Sequence, residues 1–148
     1  MKPLQVTRSV IIARPIRDVF DFVADARNDP DWCAKVVSTV QSDGDGAGPG
    51  AVYAVVHKPM PGRPARTMTM TCAGWQPPSA IEWHEGGGSE RMRVTYTLEE
   101  LADGTRFTQT SVAEFAGPAV LAAIMRRGLG RDIARQLRGL KRRLENRR

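Results

Sequence analysis

The sequence predicts an α+β fold: seven mostly hairpin-linked, hence antiparallel, strands in one sheet against one long C-terminal helix, with two short helices after the first strand. Two observations carry this. The last stretch, Gly117 to Arg148, has the apolar spacing of an amphipathic helix. The roughly ninety residues before it are broken by Gly/Pro/Asp turn signals every 8 to 12 residues or so, the rhythm of short strands. At 148 residues the chain can bury a sizeable core.

Leu4, Val6, Val10 and Ile12 alternate with polar neighbours, interrupted by Arg8, and predict the first strand. Pro15 suits a first helical turn, and Ile16, Val19, Phe20 and Val23 then form one apolar stripe. Asp25 to Asn28 end that helix. Asp29 before Pro30 predicts a second short helix, capped by Asp29 and carrying Trp32 and Cys33. The remaining strands are predicted at Val36–Ser42, Ala51–His57, Arg66–Trp75, Ala80–Glu85, Arg91–Leu101 and Thr105–Phe115. Between them lie the glycine-rich run Asp43–Gly50, the proline-rich loop Pro59–Pro64, Pro77-Pro78, Gly86–Gly88 and the hairpin signal Asp103-Gly104.

In the closing helix, Leu129, Ile133, Leu137, Leu140 and Leu144 fall within an arc of roughly 80° at 100° per residue. Arg127, Arg131, Arg135, Arg138 and Arg142 occupy the opposite arc. The apolar face of Leu121, Ile124 and Met125 is rotated away from the later one, and Gly128 and Gly130 sit at the change. A bend or break is predicted there, since each glycine weakens a helix by about 1 kcal/mol relative to alanine.

The net charge of +6 is unevenly placed. From Gly117 onward ten Lys/Arg face two Asp/Glu, a charge of +8, so the rest of the chain sums to −2. The arginine stripe has three readings: a solvated face, a surface for acidic lipid headgroups or an acidic partner, or a nucleic-acid contact. The last has only charge behind it, with no interleaved aromatics, and nucleic acid is not expected as a partner. A homodimer stays open. Cys33 and Cys72 lack metal-like or redox-like neighbours, and with two scattered histidines they make no zinc site. No cofactor or metal is expected. Both thiols read as reduced in a cytoplasmic protein, and no apolar run is long enough for a transmembrane segment.

This order of elements resembles the helix-grip fold of the START-like (SRPBCC) superfamily, in its polyketide cyclase/dehydrase branch. The residues that carry the likeness are Ile11 to Trp32 (IIARPIRDVFDFVADARNDPDW), Gly48 to Tyr53 (GPGAVY) and Gly104 to Thr108 (GTRFT) after Asp103. The likeness covers nearly the whole chain, so residues 1–148 are expected to form one such domain. One departure is Arg14, where the family often has a small residue before the helix-opening proline. The resemblance implies a seven-stranded curved antiparallel sheet wrapped around the long C-terminal helix, with a cavity between them for a hydrophobic or aromatic small molecule of polyketide, lipid or quinone class. Members range from cyclases and aromatases to carriers and share no single catalytic set, so no triad or metal motif carries over.

By strand parity, Met68, Met70 and Cys72, Met92, Val94, Tyr96 and Leu98, and Ile81 and Trp83 share the concave face. The expected ligand-binding set is Trp32, Tyr53, Met68, Met70, Trp83, Met92, Val94, Tyr96 and Phe107, with Leu121, Met125 and Leu129 from the helix. Plain core packing is the competing reading for each. Tyr96 and His57 are the candidate proton donors, Tyr96 from among apolar neighbours and His57 from the cavity mouth. Gln109 and Ser111 could face inward beside Phe107. His84, Glu82 and Glu85 are expected in solvent.

Overall fold

The computed structural model describes residues 2–59, 64–87 and 90–146. Strands β1 (Lys2–Ile12), β2 (Val36–Asp43), β3 (Val52–His57), β4 (Arg66–Gln76), β5 (Ala80–Gly87), β6 (Glu90–Leu101) and β7 (Gly104–Phe115) form one sheet in the order β1-β7-β6-β5-β4-β3-β2. Every pairing is antiparallel, because each strand from β2 to β7 turns back directly onto the next. Only β1 crosses, to pair with β7. The sheet is open and curved, and helix α2 (Ala119–Glu145) lies on it. Residues 60–63 of the proline-rich loop and Gly88 of the glycine turn lie outside the described residues. The Asp43–Gly50 turn is as expected: Gly44, Gly46 and Gly50 all have φ between 79° and 92°, a region other residues rarely adopt.

Helix α1 (Ile16–Val23) buries Val19, Phe20, Phe22 and Val23, with Phe20 edge-on to Trp75 at 5.3 Å. The second short helix differs from expectation. It is a 3₁₀ helix, η1, spanning Ala26–Asp31. Its cap is Asp25, whose carboxylate accepts from the Arg27 backbone N–H at 3.0 Å. Asp29 lies inside the helix and is buried.

The expected break in the closing helix is absent: α2 runs unbroken through Gly128 and Gly130. An unbroken helix can lay only one stripe on the sheet. The later stripe is the one buried, with Ile133, Leu137, Leu140 and Leu144 all at 1% exposure or less. The rotated face of Leu121, Ile124 and Met125 is therefore left in solvent. Gly130 also has a packing role, since a Cβ there would stand 2.3 Å from Nη2 of Arg8. Arg8 interrupts the apolar face of β1 where the helix crosses, and a glycine gives its guanidinium room.

Candidate functional site

Strand pairing assembles one continuous patch on the concave face. Met70 of β4 pairs with Glu85 of β5, and Glu85 pairs with Met92 of β6. Farther along β6, Val94 pairs with Ser111 and Tyr96 with Gln109 of β7. Inward parity along β7 runs Thr105, Phe107, Gln109, Ser111, so past Phe107 the wall is polar. Leu129, Ile133 and Gln136 of α2 close over this patch, and Asp29 and Cys33 approach from η1 and the segment after it. Together with Lys35, Val36, Val55 and His57 they enclose a cavity of about 30 Å³.

That volume has room for only a few water molecules. It lies far below the few hundred Å³ of a typical small-molecule site. Beneath Leu129, Ile133 and Gln136 the broad space expected between sheet and helix is mostly filled by side chains.

Polar groups dominate the site's chemistry. Asp29 is 4% exposed, and its Oδ1 has no hydrogen-bond partner. Burial pushes its carboxyl well above the usual aspartate range, and the charge of Glu85 adds to the shift. The Trp32 indole N–H pulls it partway back without reaching hydrogen-bonding geometry. Burial likewise raises Tyr96 and Cys33 well above their usual values, with Asp29 the next contributor to each. Glu85 is half-buried and also raised by burial, with Lys35 and Arg66 opposing. The buried Gln109 donates to the Ser111 hydroxyl at 3.3 Å, and its Oε1 is unpartnered. The site thus gathers acids whose protonated form burial favours and orphaned acceptors beneath a helix. Among the described residues no group of three His, Cys, Asp or Glu side chains is placed to hold a metal ion.

Of the residues anticipated from sequence, His57, Met70, Met92, Val94, Tyr96 and Leu129 border the cavity. Trp32, Tyr53, Trp83 and Phe107 instead form a buried aromatic array with Tyr96. Tyr53 and Trp83 lie 6.0 Å apart, Trp83 and Tyr96 6.4 Å, Trp32 and Tyr96 6.2 Å, and Tyr96 and Phe107 5.0 Å. Met68 is buried away from the cavity wall. Leu121 and Met125 stand 44% and 41% exposed on the outer face of α2, not at the cavity. His84 is exposed, with Nε2 3.1 Å from Glu82.

Beyond Lys35, three polar members were not anticipated. Glu85 was expected in solvent, yet it has the parity of Ile81 and Trp83 and so turns inward; the alternation held the signal. Gln136 sits between Ile133 and Leu140 on the apolar stripe of α2, a polar residue on a buried face. Asp29 gave no such signal, because an aspartate before proline reads as a cap.

Residues 3–145 match the protein family described as polyketide cyclase/dehydrase and lipid transport. No curated protein matches the chain significantly. Among solved structures, the chain superposes on the Zhui aromatase/cyclase from Streptomyces sp. R1128 with TM-score 0.80 at 15% identity, covering 99% of this chain and 96% of that one. A START superfamily protein from Mycobacterium smegmatis gives TM-score 0.74 at 15% identity, over 95% and 97% of the two chains. The di-domain aromatase/cyclase StfQ of the steffimycin biosynthetic pathway gives 0.76 at 15% identity over 94% of this chain. The chain spans only 49% of the length of StfQ. At these identities the structural likenesses speak for the fold alone. The family match covers nearly the full length, and the chain belongs to the polyketide cyclase/dehydrase and lipid transport family.

Proposed function

We propose that this protein binds a hydroxylated aromatic or polyketide-like small molecule between the concave sheet and α2, with Asp29 and Tyr96 as its proton donors. The observation that carries this reading is Asp29: a fully buried carboxyl with an orphaned oxygen, at a cavity whose other walls are Met70, Met92, Val94 and Leu129. A ligand hydroxyl would satisfy Asp29 Oδ1 and Gln109 Oε1, and thioether side chains repack readily around an aromatic ring. Binding requires the cavity to widen, and the side chains to be displaced are flexible ones, Met70, Met92 and Leu129.

Cyclase/dehydrase-like chemistry follows from the same groups. A neutral Asp29 carboxyl or the Tyr96 phenol donates to a ligand carbonyl while an enol carbon of the same chain attacks it. The new C–C bond forms, the carbonyl oxygen takes the donor's proton, and the enol O–H gives one back to the deprotonated donor. The donor then protonates the resulting hydroxyl, which leaves as water, and takes up the adjacent C–H proton as the double bond forms. A carrier of lipid or quinone is the alternative. It is less favoured because a plain acyl chain would leave both orphaned acceptors unpaired.

A thermal-shift panel tests the reading. Hydroxylated aromatics should raise the melting temperature by a few degrees at about a hundredfold excess over Kd, and fatty acids should not. A panel in which only fatty acids stabilise, or nothing does, would overturn it.

A further inference from the structure

We infer that the first three turns of α2 form a docking surface for an anionic lipid membrane. Four of the seven large apolar side chains that stand exposed among the described residues lie here: Val120 at 70%, Ile124 at 63%, Leu121 at 44% and Met125 at 41%. They occupy an arc of about 140° on the helix. Val120 and Ile124 are in line with Arg127, Arg131, Arg135 and Arg138, so one solvent-facing ridge is apolar at its start and basic along the rest.

The inner face explains why this end is not held down. Ala119 and Ala122 present only methyl groups, and Arg126 follows them. A cleft of about 620 Å³ is left over Leu4 and Phe115. The helix thus projects its apolar residues outward with no large side chain anchoring the turns beneath.

Charge selects the occupant. From Ala119 to Arg131 the helix has three arginines and no carboxylate. Its opening residue, Pro118, supplies no side-chain cap. A second copy on this face would bring two arginine clusters together. Nucleic acid would leave four apolar side chains unused. An anionic bilayer satisfies both halves: Val120, Leu121, Ile124 and Met125 enter the acyl boundary, and the arginines meet the headgroup phosphates. This inference does not depend on what the internal cavity binds.

Vesicle co-sedimentation tests it, using the full chain with phosphatidylcholine vesicles with and without phosphatidylserine. Binding is expected only with phosphatidylserine, weakening steeply between about 0.1 M and about 0.5 M salt. The double variant Val120→Ser/Ile124→Ser should bind at least about tenfold more weakly. Both side chains are exposed, so its melting temperature should match the parent and rule out misfolding. Arg127→Gln/Arg131→Gln should lose the phosphatidylserine preference. No binding to either vesicle would overturn the inference. So would binding indifferent to the serine variant, which would mean charge attraction alone. A dimer in sedimentation velocity that the serine variant dissociates would also overturn it, by assigning the face to a second copy.

Discussion

The guanidinium Nε of Arg14 donates to the main-chain carbonyl of Leu144 at 2.8 Å. This joins the segment leading into α1, two residues before its start, to the last turn of the closing helix. Around it, the Ala13 N–H donates to Glu145 Oε2 at 2.9 Å, and Lys141 Nζ donates to Ile11 O and to Glu145 Oε2, each at 2.7 Å. The carbonyls at a helix C-terminus lack intrahelical partners, and a cation there also suits the helix dipole. The departure from the family pattern at Arg14 is thereby explained: a small residue could not reach Leu144.

Arg14→Met should cost about 1–2 kcal/mol, the range for a half-buried hydrogen bond from a charged donor. It should also raise amide exchange in the last turn of α2 more than in its middle. Denaturant unfolding with site-resolved exchange checks both. Uniform loss of protection along the helix would contradict the local role of the clasp.

Asp29 and Glu145 give opposite pH dependences. The folded value of Asp29 is raised, so its contribution is fully present below the unfolded value of about 4 and declines as pH rises toward the folded value. The slope reaches about 1.4 kcal/mol per pH unit in that window. Glu145 is lowered by Lys141 and the Ala13 N–H, so its contribution is present above about 4.5 and is lost as pH falls. Asp29→Asn removes the first slope. It should equal the parent near pH 4 and become progressively more stable than the parent as pH rises above that. A variant less stable than the parent at pH 7 would show that the carboxyl is ionised and paired in the folded state.

Asp29→Asn and Tyr96→Phe should each weaken binding of a hydroxylated aromatic by about tenfold, one hydrogen bond's worth. They should leave the fold intact. Isothermal titration against the parent checks this. Equal affinity in both variants would remove these groups from the site.

Gly130→Ala should stabilise the protein by up to about 1 kcal/mol through helix propensity. The atom in its way is the far end of the flexible, exposed Arg8 side chain, which can turn aside. A drop in melting temperature would mean that Arg8 is held where it is.

Parity and turn chemistry made the sheet legible, since both are local: Trp83, Met92 and Tyr96 could be turned inward from the sequence alone. Reading Glu85 as solvated set charge above parity, and parity won because Glu85 sits between Met70 and Met92 across three strands. The break expected at Gly128 and Gly130 failed for a nonlocal reason. Helix continuity and the seat for Arg8 are decided by what the helix packs on, which periodicity does not report. Asp29 was the hardest to foresee. Its burial depends on β2 packing on η1 and on Tyr96 and Gln136, far along the chain, closing the same cavity.

The central claim is that the space between the sheet and α2 opens to take a small molecule. Methyl NMR with labelled methionine tests it most directly, because Met70 and Met92 border the cavity while Met125 is exposed outside. Titration with a hydroxylated aromatic should shift the Met70 and Met92 methyls saturably and in parallel, with Met125 nearly still. Unmoved Met70 and Met92 signals at saturating ligand, or shifts confined to Met125, would contradict the account.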